Sequence, residues 1–256
     1  TVPRFRKWNA KINITGNLPW LCMITRMYHI SKFPDLSSYI FFNGCNWDCD
    51  FCIMKKYKFD IHWSEKQDLD IDLKYLSVED AIEILRKNKI REVFLGGGEP
   101  TIDPSLKEFL KILRSERIRI NLLTNGDLLD QETVSLVDRI AFSIKALDDS
   151  IHKKIVHRSN ARALENLKKF FNDKFTFETV YMNELGCKNV MDIARFIENL
   201  KNGLTLRVDP LIPINNEFSK IDIEKVDNCI ELVSNMSSVK AFRIKGKGKN
   251  AEVLYP

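Results

Sequence analysis

The sequence of 256 residues lacks any apolar run approaching the roughly 18 residues of a membrane-spanning helix. It also lacks internal repeats and low-complexity segments, which excludes a solenoid and a long disordered tract. Polar residues rather than an apolar stretch follow Arg4, Arg6 and Lys7, so the pattern predicts no secretory signal. We therefore expect a cytoplasmic protein that does not associate with a membrane.

Charge of one sign does not dominate either. The formal net charge is +5 and the sequence pI is about 8.8. This mildly basic balance permits an acidic partner, but it falls short of the strongly basic composition that indicates nucleic-acid binding by itself. Hydrophobic residues make up 44% of the chain, which is sufficient for the core of one large α/β domain.

Cysteine is sparse, but three of the six cysteines lie within one short segment. Cys45, Cys49 and Cys52 have the spacing C-x3-C-x2-C, and the aromatic Phe51 precedes the last of them. Three thiolates can bind three irons of a [4Fe–4S] cube and leave the fourth iron open to a ligand, whereas four cysteines close it. The segment therefore predicts an iron–sulfur cluster with one open iron.

A zinc site and a closed cluster are the alternatives for this segment. Zinc usually takes four ligands in two pairs, and no second pair follows. By sequence distance, Cys22 and His62 are the only candidates for a fourth ligand. The remaining cysteines, Cys22, Cys187 and Cys229, are scattered, and we interpret them as small buried hydrophobic residues in a reducing compartment.

Six short runs of aliphatic and aromatic residues alternate with amphipathic helical patterns, which predicts an α/β fold with a mostly parallel sheet. An open doubly wound sheet and a curved partial barrel both fit this alternation. The predicted strands are 39–43, 92–95, 119–124, 139–145, 175–181 and 204–211, with a final strand in 239–245. The predicted helices follow Ser77, Asp103 and Asn160, and cover 189–200 and 222–236.

Polar residues and glycines stand where the predicted strands end. Gly97, Gly98 and Glu99 follow the second strand, and Asn125 follows the third. A glycine run at a strand end lets the backbone approach a ligand closely, although a bare run is equally typical of a tight turn. Asn-Gly is likewise a turn signal by itself.

Charged residues lie on the later strands. Lys145 ends the fourth strand, Glu178 lies on the fifth, and Arg207 and Asp209 alternate with an apolar residue on the sixth. Because the carboxyl ends of barrel strands face the site, we predict that Lys145, Glu178 and Arg207 act on the substrate. The alternative is a structural pair between Glu178 and Arg207, since charges inside a barrel need partners.

The cysteine segment with its aromatic, followed at the right separation by Gly97-Gly98-Glu99, resembles the radical S-adenosylmethionine (SAM) superfamily. The resemblance implies a partial (β/α)6 barrel in which Cys45, Cys49 and Cys52 hold a [4Fe–4S] cluster that binds SAM. It also implies SAM contacts for six residues: the backbone at Phe51, the amino-group site at Gly97, Gly98 and Glu99, and the polar side chains of Asn125 and Ser143.

The segment from Ser143 to Asp148 is similar to the DLKA segment of glycyl-radical-enzyme activases, such as the activator of pyruvate formate-lyase. Ser143 stands where those activases have aspartate, so any role that needs a carboxylate there is in doubt. Lys145 matches the lysine of that segment and could reach the SAM carboxylate or the substrate.

The resemblance implies that a ferredoxin- or flavodoxin-type donor supplies one electron, that SAM is cleaved to a 5′-deoxyadenosyl radical, and that this radical abstracts hydrogen from a substrate. The substrate is either a glycine of a partner glycyl radical enzyme or a tRNA, nucleotide or other small molecule. A non-catalytic iron–sulfur or zinc protein is a distant alternative, because it leaves the glycine run and the polar strand ends unexplained.

The chain divides by pattern into an N-terminal extension (1–38), the barrel (39–236) and a C-terminal strand with a basic tail (237–256). An acidic run within residues 56–72 is interpreted either as a solvated loop or as a lid over the site.

Overall fold

A computed structural model describes residues 25–60, 72–215, 218, 220–245 and 251–255. The predictions for Cys22, His62, most of the acidic run and the basic tail therefore lie outside the described residues.

The described strands form a single sheet of nine strands in the order β8-β7-β6-β5-β4-β3-β2-β1-β9. Strands β2 to β8 are parallel and follow chain order, whereas β1 is antiparallel to β2 and β9 is antiparallel to β1. The sheet is not closed, and β2 to β7 are the six strands of the partial barrel that the sequence predicts. The strands are β1 Met27–Lys32, β2 Ser37–Phe42, β3 Glu92–Gly97, β4 Arg119–Thr124, β5 Arg139–Ser143, β6 Phe175–Tyr181, β7 Thr205–Pro210, β8 Lys240–Phe242 and β9 Glu252–Tyr255.

Helices cover one face of the sheet, and their buried stripes form the main core with it. In α2, for example, Phe109, Leu110 and Leu113 are fully buried. None of the helices in the described ranges is long and apolar enough to cross a bilayer. The helices are α1 Val78–Lys87, α2 Leu106–Ser115, α3 Gln131–Leu136, α4 Asp149–Val156, α5 Ala161–Phe170, α6 Gly186–Glu198 and α7 Ile223–Met236.

The two faces of the sheet separate core residues from site residues. Along β6, Phe175 and Phe177 are buried in the main core, whereas the alternating residues Thr176 and Glu178 are less buried. Because successive side chains of a strand point to opposite faces, Thr176 and Glu178 lie on the concave face away from the helices. The same alternation places Arg207 of β7 beside Glu178.

Helix caps determine where the helices begin. Ser77 caps α1, as the sequence predicts, and Asp222, the predicted first residue of 222–236, caps α7; each accepts a backbone N–H of the first turn. The predicted start at Asp103 is wrong, and α2 begins at Leu106. The Asp103 carboxylate instead accepts the N–H and hydroxyl of Ser105 and the N–H of Arg26, so it fixes a turn before the helix.

The segment after the cysteine loop reaches across the carboxyl end of the barrel. Lys56 Nζ donates to the carbonyl of Pro213, 2.9 Å away, which joins the loop after β2 to the loop after β7. The Tyr28 hydroxyl of β1 donates to the carbonyl of Lys58. The first residues of the 56–72 segment therefore bridge the first and last of the six barrel strands.

The interpretation of Cys187 and Cys229 as separate buried thiols is wrong, because the two form a disulfide between α6 and α7. Their separation of 42 residues carries no signal of pairing in a sequence without secretory features. The helix packing brings the two side chains together, which the sequence pattern does not specify.

Removing this disulfide is expected to lower the free energy of unfolding. Loop-closure entropy for 42 residues gives an upper value of about 4 kcal/mol at 25 °C. The Cys187→Ser and Cys229→Ser variants should each lose the same amount in anaerobic urea unfolding, and the double variant should lose no more. Unfolding curves identical to that of the unsubstituted protein would contradict the disulfide.

Candidate active site

The candidate active site lies at the carboxyl ends of the parallel strands, where the loops after β2 and β3 are joined by their backbones. The Gly98 N–H donates to the carbonyl of Phe42 at 2.8 Å, and the Glu99 N–H donates to that of Gly44 at 2.9 Å. A Cβ atom on Gly98 would lie 2.0 Å from the Gly44 oxygen. Only glycine therefore allows this approach, which holds the start of the cysteine loop against Gly97-Gly98-Glu99, the GGE segment.

The far side of the cysteine loop is fixed on the last turn of α4. The Asp48 N–H donates to the carbonyl of Val156 at 3.2 Å, and the Asp50 N–H donates to that of Ile155 at 3.0 Å. The Trp47 ring packs edge-on against His152, with 4.6 Å between ring centres. Phe51 is buried in the main core, so its side chain also anchors the loop.

The Cys45 thiol accepts two N–H groups: the Trp47 backbone at 3.3 Å and Asn125 Nδ2 at 3.7 Å. Burial raises the pKa of Cys45 to about 12 and that of Cys49 to about 11. Iron binding must therefore displace protons from both thiols. Hydrogen bonds to the ligating sulfurs are one of the means by which proteins set the potential of a cluster.

The described residues include three thiols of the kind that hold an iron–sulfur cube. Cys45, Cys49 and Cys52 are all free thiols on one loop. Within the described ranges no three His, Cys, Asp or Glu side chains form a group that could hold one metal ion. A cube needs no such convergence, because each of its thiolates binds a different iron. The donor set therefore agrees with the predicted [4Fe–4S] cluster.

Glu99 is buried, and its carboxylate joins two loops. One oxygen accepts the hydroxyls of Thr101 (2.6 Å) and Thr124 (2.7 Å) and the Thr101 N–H (3.1 Å). The other oxygen accepts the Asn125 N–H at 2.7 Å. Burial raises the pKa of Glu99, against the effect of these donors. The side chain thus has a structural task, and its predicted contact with SAM stays a prediction.

Asn125 connects the loop after β4 to the cysteine loop. Its Oδ1 accepts the Asp127 N–H at 2.9 Å, which requires that the Nδ2 group faces the cysteine loop. One Nδ2 proton is directed to Asn46 Oδ1 at 2.8 Å and the other to Cys45 Sγ. Asn46 in turn donates to Asp127 at 2.8 Å. The sequence analysis missed Asn46 and Asp127, although the Asn-Gly-Asp turn gave a signal for Asp127.

A charged row crosses the concave face on adjacent strands. Ser143, Glu178 and Arg207 are register partners on β5, β6 and β7. Arg207 binds Glu178 at 2.5 Å and Asp209 at 2.8 Å. Burial lowers the pKa of Arg207, but the two carboxylates outweigh it, so the pKa is raised overall. For Asp209, burial is the largest effect and raises the pKa. The structural pair of Glu178 and Arg207, which the sequence left as an alternative, is therefore present.

Lys145 lies between this row and the cysteine loop. Its ammonium donates to the Ser143 hydroxyl at 2.6 Å. Its charge partly offsets the rise in the pKa of Cys49 that burial causes. No carboxylate among the described residues forms an ion pair with Lys145, so two of its three donors are available to an anionic or carbonyl group.

The predicted residues thus form two groups at one end of the sheet. Glu99 and Asn125 belong to the group around Cys45, while Ser143, Lys145, Glu178 and Arg207 belong to the charged row. Lys145 is the member that links the two groups. The second glycine of the GGE segment, Gly98, supports the first group through its backbone.

The profile of the radical SAM superfamily matches residues 39–197 of this sequence. The chain belongs to the radical SAM superfamily, whose members are enzymes that use a [4Fe–4S] cluster and SAM.

Two curated relatives match most of the chain. A Methanocaldococcus jannaschii protein, named provisionally as a glycyl-radical enzyme activating enzyme, is 27% identical over 80% of this chain and 82% of its own length. The 7-carboxy-7-deazaguanine synthase of Clostridium acetobutylicum is 25% identical over 70% of this chain and 75% of its own length.

Solved structures support the fold. Streptococcus suis SuiB bound to SAM has a TM-score of 0.61 and 19% identity, covering 79% of this chain and 48% of SuiB. TYW1 with a lysine-pyruvate adduct has a TM-score of 0.56 and 15% identity, covering 86% of this chain and 79% of TYW1. This chain therefore spans about half the length of SuiB and most of TYW1.

The Gly98→Ala variant is expected to lose iron, because the added Cβ forces the GGE segment away from the cysteine loop. Iron per protein after anaerobic reconstitution is the measurement. Gly203→Ala is the matched control: Gly203 has φ +75° and no heavy atom within 4 Å of the added Cβ. The Gly203→Ala change should lower the free energy of unfolding by roughly 1 kcal/mol and leave the iron content unchanged. Full iron loading of Gly98→Ala would contradict the proposed loop contact.

The Asn125→Ala variant should bind iron but shift the reduction potential of the cluster to a more negative value. The reason is that one N–H donor to Cys45 Sγ is lost, which leaves more electron density on that sulfur. A potentiometric titration followed by EPR measures the shift. Asn172→Ala, a change outside both groups of the site, is the control, and equal potentials in the two variants would contradict the predicted role.

Proposed function

We propose that this enzyme activates a glycyl radical protein by removing a hydrogen atom from a glycine of that partner. When bound, the cluster and SAM supply a 5′-deoxyadenosyl radical, which takes the hydrogen atom. Cys45, Cys49 and Cys52 would hold the cluster, and one iron would stay open for SAM. The similarity to the M. jannaschii activating enzyme over most of both chains supports this proposal.

The charge balance of the concave face is the observation that carries the choice of substrate. Two cations, Lys145 and Arg207, lie with two carboxylates, Glu178 and Asp209, so the row has no net formal charge. A polyphosphate needs a surplus of positive charge. A glycine peptide is uncharged and offers one N–H and one carbonyl, which a balanced row of donors and acceptors can satisfy.

Lys145 and Arg207 have separate tasks in this proposal. Arg207 is held by carboxylates on two sides, so its remaining N–H groups are directed and can donate to a peptide carbonyl. Lys145 keeps two free donors close to Cys49, where they can bind the SAM carboxylate. Ser143 orients Lys145 in place of the aspartate that activases carry at this position.

Modification of a nucleotide or another small molecule is the second candidate. The similarity to 7-carboxy-7-deazaguanine synthase favours it. The balanced charge of the concave row is more compatible with an uncharged base or ring than with a nucleoside triphosphate.

The test is transfer of label from the proposed substrate. The reconstituted enzyme is reduced with dithionite and mixed with SAM and a glycyl radical enzyme that has been labelled with deuterated glycine. We expect one deuterium in 5′-deoxyadenosine and a glycyl radical signal in EPR, and neither in the Cys49→Ala variant. SAM cleavage without deuterium transfer or a radical signal would contradict the activase function while leaving the radical SAM chemistry intact.

A further inference from the structure

A basic surface lies beside the cysteine loop and is not used by the chemistry described above. Residues 151–162 contain four lysines and arginines and no carboxylate. Their side chains are exposed at the last turn of α4 and just beyond it. We name this surface, formed by Lys153, Lys154, His157, Arg158 and Arg162, the α4 patch.

Three residues of the α4 patch form no ion pair with the described residues. Lys153 pairs with Asp149 at 2.6 Å, and His157 contacts Asp50 at 2.6 Å. Lys154, Arg158 and Arg162 form no ion pair within the described ranges. Ile151, one turn before Lys154, is 38% exposed, so the patch combines free positive charge with an apolar residue.

Basic residues at a helix end also have an ordinary explanation, since they complement the helix dipole. Lys168 and Lys169 occupy the equivalent last turn of α5. Position on a helix therefore does not distinguish the α4 patch from α5. What distinguishes the patch is its connection to the residues that hold the cluster.

The connection consists of two backbone hydrogen bonds. Cys49 lies between Asp48 and Asp50, and the N–H groups of both neighbours donate to the last turn of α4. The path from Cys49 to Ile155 thus crosses one peptide and one hydrogen bond of 3.0 Å.

We propose that the α4 patch is the docking surface for an acidic one-electron carrier of the ferredoxin or flavodoxin class. The proposal rests on the radical SAM chemistry stated above. On docking, the reduced carrier loses one electron and the cluster gains it; no bond forms or breaks. Complementary charge speeds such encounters and makes them sensitive to salt.

The described part of the patch fits a protein partner better than a nucleic acid. It has an exposed aliphatic residue, Ile151, and the one ring in it on which a base could stack, that of His157, is held by Asp50 at 2.6 Å. Its three unpaired cations, Lys154, Arg158 and Arg162, are few compared with the roughly 6–10 phosphate contacts of a typical nucleic-acid interface.

The test compares two charge reversals of equal size: K154E with R158E in the α4 patch, and K168E with K169E on α5. Photoreduced flavodoxin and, separately, a reduced acidic ferredoxin are the probes. Their oxidation by the reconstituted enzyme is followed by stopped-flow absorbance at several salt concentrations, and their binding to the enzyme is followed by calorimetry. SAM cleavage with dithionite and binding to bulk tRNA are measured in parallel.

We expect the patch variant to accept electrons about tenfold more slowly from at least one carrier at low salt, to bind that carrier more weakly, and to cleave SAM normally with dithionite. The α5 variant should match the unsubstituted enzyme. Equal rates in all three proteins, or equal losses in both variants, would overturn the docking surface.

Loss of tRNA binding with unchanged electron transfer would assign the patch to nucleic acid instead. No cleavage by the unsubstituted enzyme with dithionite would contradict the radical SAM chemistry itself.

Discussion

The buried carboxylate of Glu99 is the interaction on which the rest of the site depends. An ionised carboxylate in the interior is costly unless donors satisfy it, and Thr101, Thr124 and the Asn125 backbone supply four hydrogen bonds. These bonds fix the loop after β4 against the loop after β3. Asn125 is thereby positioned to donate to Cys45, so a carboxylate that does not touch the cysteines determines the surroundings of one of them.

Much of the barrel follows from local patterns in the sequence. The predicted strands at 119–124 and 175–181 coincide with β4 and β6, because each is a short apolar run bounded by turn residues. Ser77 and Asp222 mark helix starts for a local reason, namely that their side chains accept N–H groups of the first turn. Strands β1 and β9 escaped prediction because their pairing with the edge of the barrel is a tertiary feature.

The site is predictable to the extent that its residues belong to contiguous motifs. The cysteines and Gly98 are such residues: the cysteine spacing predicts ligation, and the close backbone approach requires glycine at position 98. Asn46, by contrast, acquires its task only when two loops 79 residues apart meet. The Cys187–Cys229 disulfide and the position of the α4 patch beside the cysteine loop depend in the same way on which elements the fold brings together.

The central claim is that three thiolates bind three irons and leave the fourth to SAM. Mössbauer spectroscopy of the ⁵⁷Fe-reconstituted protein, with and without SAM, tests it most directly. The account predicts that SAM changes the parameters of one iron in four and leaves the other three unchanged. A fully loaded cluster whose four irons all stay unchanged on addition of SAM would contradict it.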